Sequence, residues 1–458
     1  MIDRSRPPRP GELRPFRFPP FLHHRLANGL EVYAARLGDV PLISLELVAP
    51  AGGEHDPPGQ SGLATLTAAL LDEGTVRRSA MDIARDVERL GGYLTTGADW
   101  DVGYLATGLL SYHRRAGVDL LAEVATSPTF PAAEVERLRR QRLTEIQRRT
   151  YDPASLADDR VSATVFAGTV YVNSLLGTEE SVAAIARADV LAFYRRHFSI
   201  TGSTLIAVGD LDPEDLVAEV EATFGGEAAS RSPASPDIRP ARLTGISLHV
   251  VDRPGAAQTE LRLAHPGVPR KHPDYTPLTV MNTLLGGQFT SRINLNLRER
   301  HGYTYGASSR FVGRLGPGPF LVSAAVATES TGDAVREVLA ELARIREEPV
   351  TAAELDDTRN YLMGVFPYTV QTITDLAKRL ETLAVYDLPD DYFDGYVARL
   401  AEVTSEQIQE VAQRHVDPEH IAVVAVGPAE VLEPQLAKLG GAIQVWSRPA
   451  PVPAPAAV

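Results

Sequence analysis

The amino-acid sequence predicts an α+β fold of two homologous domains, each a mostly antiparallel sheet with helices packed on one face. Two observations lead to this prediction. The two halves of the chain repeat one pattern, and their strand-like and helix-like segments mix without the strict βαβ alternation of a parallel sheet. The chain has 458 residues, which is too long for a single hydrophobic core.

The repeat is clearest near the end of each half. Residues 193–211 resemble residues 411–429, and in each segment a histidine precedes a glycine at the same spacing. The pairs are His197 with Gly209 and His415 with Gly427, at a common offset of 218. Upstream, the segments PAAE at 131–134 and TAAE at 351–354 match at an offset of 220. A near-constant offset over this length indicates a duplicated unit and predicts a pseudo-twofold pair that encloses a cavity.

Composition separates the two units. Residues 225–243 are rich in Ser, Pro, Ala and Gly and have no apolar period, which is typical of a linker. The chain ends in a Pro/Ala-rich stretch with no pattern of a folded element. We therefore predict an N-terminal domain over 1–224, a linker over 225–243, a C-terminal domain over 244–446 and a tail over 447–458.

Apolar periodicity gives the elements of each domain. Alternation predicts strands at 31–35, 42–48, 104–109 and 205–208. Helical spacing over 79–90 ends at a Gly-Gly pair, and a charged helix over 132–149 ends before Asp152-Pro153. In the second half, the same spacing predicts helices around 277–285, 332–346 and 351–362.

Charge and composition exclude several classes of protein. The net charge is −14, which argues against nucleic-acid binding. No run of apolar residues is long enough to span a membrane, so we expect no membrane span. The arginine-rich N-terminus lacks the apolar stretch of a secretory signal, and we expect a cytoplasmic protein. The absence of Cys excludes disulfides and thiolate metal ligands.

A segment of the first half has a pattern that points to a family. AGGEH at 51–55 is followed by GLATLTAALLDEGT at 62–75. This resembles the pitrilysin, insulinase and mitochondrial-processing-peptidase family of inverted zincins, whose H-x-x-E-H helix opens with a Gly-Leu-Ala-like segment and closes with Gly-Thr. In that motif two histidines at i and i+4 hold zinc and the glutamate is the general base. The resemblance extends to about residue 439 and implies a processing-peptidase-like metallohydrolase fold.

The zinc-binding residues that the resemblance implies are missing. In the register of the motif, Thr65 replaces the first histidine, Ala68 the glutamate and Ala69 the second histidine. Glu145 matches the family's third ligand, while Leu138 replaces an accessory glutamate. A catalytic zinc needs three protein ligands, and one carboxylate cannot hold it. We predict no metal and no cofactor in this chain.

Other possible ligands are scattered along the first half. Asp72 and Glu73 are adjacent on the helix and point apart. His23, His24 and His55 are isolated in predicted loops. A replacement metal site is therefore not expected, and the motif segment is interpreted as a packed helix.

The second half has a Gly-rich turn followed by an arginine and a tyrosine. The sequence reads NTLLGGQFTSR at 282–292 and LRERHGYTY at 297–305. This resembles the family's second-domain signature, in which such residues face the zinc across a cavity. The resemblance assigns substrate binding to Arg298, Tyr305, Gly286 and Gly287. A guanidinium and a phenol can both donate hydrogen bonds to a peptide carbonyl or an oxyanion.

A plainer interpretation of these residues stays open. Arg298 could pair with Glu299 or another carboxylate, and Tyr305 could belong to a half-buried strand. The Gly286-Gly287 pair could simply end a helix, since no Lys-Ser/Thr follows to make a phosphate-binding loop.

Residues 94–100 resemble the family's edge strand beside the motif helix. In the active enzymes that strand pairs with the substrate backbone, and here it could still accept a peptide. An ordinary strand shielded by the other domain is an equal alternative.

The resemblance implies two possible functions. In split bacterial forms one chain carries zinc and the other the Arg–Tyr pair, so this chain matches a non-catalytic subunit whose homologous partner holds the zinc. Other relatives with lost motifs are scaffold subunits, so a structural or peptide-binding pseudoenzyme is the alternative. Neither makes this chain a peptidase on its own, and no Ser/His/Asp or Cys/His constellation supports another hydrolase.

Overall fold

The computed structural model describes residues 16–227 and 234–447. Parts of the predicted linker and the predicted tail, at 228–233 and 448–458, lie outside the described residues. Within the described ranges the chain forms two six-stranded sheets, one from each half. Their strands are β1 (Leu22–Arg25), β2 (Glu31–Arg36), β3 (Leu42–Ala49), β4 (Tyr93–Ala98), β5 (Gly103–Leu110) and β6 (Thr204–Gly209), then β7 (Ser247–Asp252), β8 (Gln258–Pro266), β9 (Thr304–Phe311), β10 (Pro319–Ala327), β11 (Ala422–Gly427) and β12 (Ile443–Trp446).

The two sheets share the order of five strands. The first has the order β1-β2-β6-β3-β5-β4 and the second the order β12-β7-β11-β8-β10-β9. Each contains an equivalent parallel pair, β2 with β6 and β7 with β11, next to an antiparallel neighbour, β3 or β8. The remaining edge differs, because β1 is antiparallel to β2 whereas β12 is parallel to β7. Strands β6 and β11 are fully buried and stand at the offset that the sequence repeat predicts. The predicted fold class is confirmed, and the duplication is visible in the strand order.

The described part of the first half contains eight α-helices: α1 (Leu63–Ala69), α2 (Ala80–Arg89), α3 (Arg114–Thr126), α4 (Ala132–Arg149), α5 (Pro153–Val165), α6 (Glu179–Ala184), α7 (Arg187–His197) and α8 (Pro213–Phe224). Local signals set their ends. Ser79 and Asp82 form a capping box at the start of α2, and Gly91 with φ 65° follows its end. Helix α4 has the predicted bounds, and Asp152 caps the next helix.

The second half adds α9 (Tyr275–Asn282), α10 (Arg292–Asn294), α11 (Thr331–Glu347), α12 (Ala352–Val365), α13 (Ile373–Val385), α14 (Tyr396–Glu402), α15 (Ser405–His415) and α16 (Ala429–Leu436). Wider π-helical turns follow α9 at 283–287 and α10 at 295–300. Such turns are rare and are frequent at functional sites. None of the helices in residues 16–227 and 234–447 is long and apolar enough to cross a membrane.

Each sheet is covered on both faces, by helices of both halves. The helices of its own half pack on one face, as the sequence predicts. On the other face of the first sheet, Leu376, Leu380 and Leu383 of α13 pack with strand residues that include Ile206. Conversely, α5 of the first half packs on the second sheet. Its residues Ala157, Val161 and Val165 lie in one cluster with Val424 and Val426 of β11. The two halves therefore share two hydrophobic cores.

This exchange predicts that a core mutation in the second half destabilises the first. Leu380→Ala removes a fully buried side chain of the first sheet's outer core and should cost about 2–5 kcal/mol. Fluorescence of Trp100, in a Trp446→Phe background, should report the loss as a lower denaturant midpoint. The exposed Val365→Ala is the control and should change stability by less than about 0.5 kcal/mol. An unchanged Trp100 transition in Leu380→Ala would contradict the shared core.

Candidate functional site

The helix that corresponds to the zinc motif is α1, and its start is tightly fixed. Gly62 adopts φ 93°, and a Cβ there would lie 2.6 Å from the Leu176 carbonyl oxygen. The Asp56 carboxylate accepts hydrogen bonds from the backbone N–H groups of Gly62 and Ala64, both at 2.7 Å. Burial raises the pKa of Asp56 to about 7. These contacts hold α1 in place without a metal.

The residues at the motif positions offer no set of ligands. The Thr65 hydroxyl donates to the carbonyl oxygens of Leu175 and Gly62, at 2.9 and 3.1 Å. Ala68 is fully buried and Ala69 half-buried, and neither has a donor atom. The helix face that bears the motif is therefore packed against protein.

A guanidinium lies beside these positions. Arg142 of α4 donates from Nη1 to the Thr65 hydroxyl oxygen at 2.7 Å, and its Nε lies 3.4 Å from Glu145 Oε2. The Arg142 side chain is 11% exposed and that of Glu145 52% exposed. Burial lowers the pKa of Arg142, and the nearby carboxylates of Glu145 and Asp56 oppose that shift. A cationic side chain next to Thr65 repels a dication, so the residues present do not fit a catalytic zinc.

The other candidate ligands of the first half have structural partners. Glu73 pairs with Arg137 at 2.6 Å, and Asp72 accepts a hydrogen bond from Thr96 at 3.3 Å. The placement of His23 and His24 in loops is wrong, because both lie in β1, where alternation over only four residues gave no clear signal. His23 Nδ1 lies 3.0 Å from Asp390 of the second half.

His55 is likewise not isolated. Its ring stacks on that of His197, with centroids 4.5 Å apart, although the two residues are far apart in sequence. Burial lowers the pKa of His197 to about 4, helped by the neighbouring His55 and Arg196. His55 and His197 are therefore brought together only by tertiary folding.

In the second half, the Gly-rich turn packs against β9. A Cβ on Gly286 would lie 2.3 Å from Ser309 Oγ, so only glycine allows this approach. Gly287 follows it and is exposed. A Gly286 side chain would break the packing, while substrate contact by Gly286 and Gly287 stays a prediction.

Arg298 lies in the π-helical turn at 295–300. Its guanidinium carbon is 4.5 Å from the ring centroid of Phe289, and its Nε is 3.5 Å from Glu299. The side chain is 34% exposed, so both contacts leave part of the guanidinium open to a ligand. The predicted pairing with Glu299 is present, and it does not fill the donor capacity of the group.

Tyr305 is presented to solvent by an irregularity of the edge strand β9. The pairing of β9 with β10 shifts register between Ala324 and Val326, which places a bulge at this tyrosine. The Thr304 hydroxyl fixes the bulge by donating to the Ala325 carbonyl oxygen at 2.6 Å. Tyr305 is 89% exposed, so the alternative of a half-buried strand residue is wrong at this position.

The segment at 94–100 forms most of β4, which lies at the edge of the first sheet. It pairs with β5 on one side, and α1 packs beside it. Strand β9 holds the equivalent edge of the second sheet. On β9 the Ala307 N–H and the Ser309 carbonyl oxygen already bond the side chains of Asn294 and Asn282. The edge of β4 is left as the candidate for pairing with an extended peptide.

Comparison with protein families agrees with this geometry. Residues 40–179 match the model described as Insulinase (Peptidase family M16), and residues 184–362 match the Peptidase M16 inactive domain. The chain belongs to peptidase family M16. Together the two matches extend across both sheets.

Known M16 proteins resemble the chain over most of its length. It is 26% identical over 395 residues to an uncharacterized zinc protease of Streptomyces coelicolor, covering 85% of each chain. It is 24% identical to the mitochondrial-processing peptidase subunit beta of Bos taurus, covering 89% of this chain and 84% of the relative. A crystal structure of a peptidase M16 inactive domain from Pseudomonas fluorescens is similar, with a TM-score of 0.82, 28% identity, and coverage of 89% and 98%.

A protease structure from Helicobacter pylori shares the fold, with a TM-score of 0.83 at 19% identity, and covers 90% of this chain and 100% of that one.

Sequence reasoning missed three contributors to this M16 site. Arg142 lies one helical turn before Glu145. Its contact with Thr65 could not be predicted, because it depends on the packing of α4 on α1. Phe289 lies in the Gly-rich segment at 282–292, and its ring is exposed. An aromatic residue in a predicted turn was the signal that could have identified it. Asn294 accepts from the Ala307 N–H at 3.0 Å and so ties α10 to β9.

The packing of Arg142 and Thr65 leads to a prediction about zinc. Glu145→Ala should leave the zinc content of the purified chain unchanged, because a lone exposed carboxylate cannot hold the ion. Elemental analysis after dialysis against micromolar zinc measures this, with Glu136→Ala on the same helix as the control. Loss of stoichiometric zinc in Glu145→Ala alone would contradict the description of this site.

Proposed function

We propose that this M16 chain is a non-catalytic subunit of a heterodimeric zinc metalloendopeptidase. In this role it helps to bind and orient a peptide for a homologous, zinc-bearing partner. One contrast supports the proposal most strongly. The motif helix lacks the zinc ligands and packs against Arg142, whereas Tyr305 is 89% exposed on a bulge of β9 and Arg298 is 34% exposed.

The two retained side chains have suitable chemistry. Tyr305 offers one O–H donor. The Arg298 guanidinium offers five N–H donors and is always positively charged. Donors aimed at a carbonyl oxygen stabilise the negative charge that builds there during hydrolysis. The zinc of the partner would supply the attacking water, and this chain would hold the peptide.

Exposed apolar residues support association with a second chain. Tyr361, Val365 and Tyr368 follow one another at spacings of four and three residues, so they share a face on α12 and the turn after it. Phe289 is exposed as well, next to Arg298. Apolar side chains that share an exposed face are a candidate contact surface for a second chain. A homologous M16 chain is the partner that we propose.

The alternative function is a structural or peptide-binding pseudoenzyme with no part in proteolysis. The contacts of Arg298 with Phe289 and Glu299 favour it, because they give the guanidinium partners within its own chain. The two functions predict different effects of removing the Tyr305 hydroxyl. The proposed role in cleavage predicts slower cleavage, and the alternative predicts no change.

Tyr305→Phe tests the proposal, because it deletes the hydroxyl and keeps the ring. Loss of one transition-state donor costs about 3 kcal/mol, so cleavage by the mixed complex should fall roughly 10- to 1000-fold. The loss should appear chiefly in kcat. Steady-state kinetics on a fluorogenic peptide measures it.

The matched control is Tyr112→Phe, which removes a hydroxyl from an exposed tyrosine of the first half. It should leave kcat unchanged, and in both variants the complex should assemble and the partner should retain zinc. A Tyr305→Phe complex that assembles normally and cleaves at the wild-type rate would rule out the catalytic role and favour the scaffold.

A further inference from the structure

A second cluster of polar side chains lies away from Arg298 and Tyr305, where α9 meets α15. It consists of His272 in the loop before α9, Asp274 at the first turn of α9, and His415 at the end of α15. One ligand atom from each lies within 4.8 Å of the other two. Across residues 16–227 and 234–447, this is the one group of three or more His, Asp or Glu side chains with that geometry.

The distances converge on one carboxylate oxygen. His415 Nε2 lies 2.7 Å from Asp274 Oδ2, and His272 Nδ1 lies 4.0 Å from the same oxygen. The two imidazole rings meet edge to face, with centroids 5.1 Å apart. Ligand atoms about 2 Å from one ion lie at most about 4 Å apart, so small side-chain rotations would bring all three onto a common ion. His272 Nδ1 accepts a hydrogen bond from the Asp274 backbone N–H at 3.1 Å, which binding through this nitrogen would replace.

The carboxylate of Asp274 is not used by the helix that it precedes. Asp274 occupies the N-cap position of α9, yet its side chain makes no capping hydrogen bond. In the first half, by contrast, the N-cap residue Asp212 accepts hydrogen bonds from the backbone N–H groups of Glu214 and Asp215 in the first turn of α8. N-cap aspartates normally accept from the first turn. The Asp274 carboxylate instead points toward His415, which a capping role does not explain.

We propose that His272, Asp274 and His415 form a binding site for a divalent transition-metal cation of the zinc class. Two imidazoles and one carboxylate suit zinc, and three protein ligands leave a position for water. The ion would tie the loop before α9 to the end of α15. This site is separate from the proposed function and from the altered zinc motif in the first half.

Arg414 is the competitor for this site. Its Nη1 lies 2.7 Å from Asp274 Oδ2, so without an ion the guanidinium neutralises the carboxylate. The Arg414 side chain is largely exposed and can swing into solvent. A bound dication and the guanidinium repel each other, so binding would displace Arg414 from Asp274.

Zinc binding by the full chain without an affinity tag tests the proposal. Affinity is measured by competition with a chromophoric chelator, and stoichiometry by elemental analysis. We expect one zinc per chain. His272→Ala and His415→Ala should each weaken binding by at least about tenfold. Arg414→Gln should tighten it, because this change removes the competing charge from an exposed position.

Two further variants serve as controls. His420→Ala removes a nearby histidine that pairs with Asp417 outside the cluster, and Glu145→Ala alters the first-half position. Both should bind zinc like the wild type. Absence of zinc from both the wild type and Arg414→Gln would overturn the proposal. An effect of His420→Ala as large as that of His272→Ala would overturn it equally.

Discussion

The exchange of helices between the halves is the constraint on which the rest of the structure depends. Helix α13 supplies the outer core of the first sheet, and α5 supplies that of the second. Buried apolar surface is the main source of folding free energy, so neither half has a complete core alone. The exchange also fixes the position of the α1 region relative to the π-helical turn that contains Arg298.

This shared core explains how the fold is kept although the zinc motif of its family is altered. The α1 helix is held by Asp56 at its start and by apolar packing along its length, with Ala68 fully buried. At the altered motif, the Arg142 guanidinium donates a hydrogen bond to the Thr65 hydroxyl oxygen. In the second half, by contrast, a bulge and a π-helical turn keep Tyr305 and Arg298 partly open. Rare backbone geometry is therefore concentrated where the proposed function requires side chains to be presented.

Sequence alone predicted the elements with strong periodicity and clear end signals, such as α4 and the buried β6. The repeat also predicted the second sheet, since β11 stands at the same offset from β6 as His415 does from His197. The exchange of α5 and α13 could not be predicted, because an amphipathic helix does not show which sheet it will cover. Arg142 beside Thr65, and the cluster of His272 with His415, likewise depend on contacts between residues far apart in sequence.

Our central proposal is that this chain contributes to peptide cleavage only together with a zinc-bearing homologue. The direct measurement is to isolate the complex from its native host, separate the chains, and assay each one and their mixture on a fluorogenic peptide. We predict no cleavage by this chain alone, little by the partner alone, and full activity on mixing. Cleavage by this chain alone, or a partner as active alone as in the mixture, would contradict this proposal.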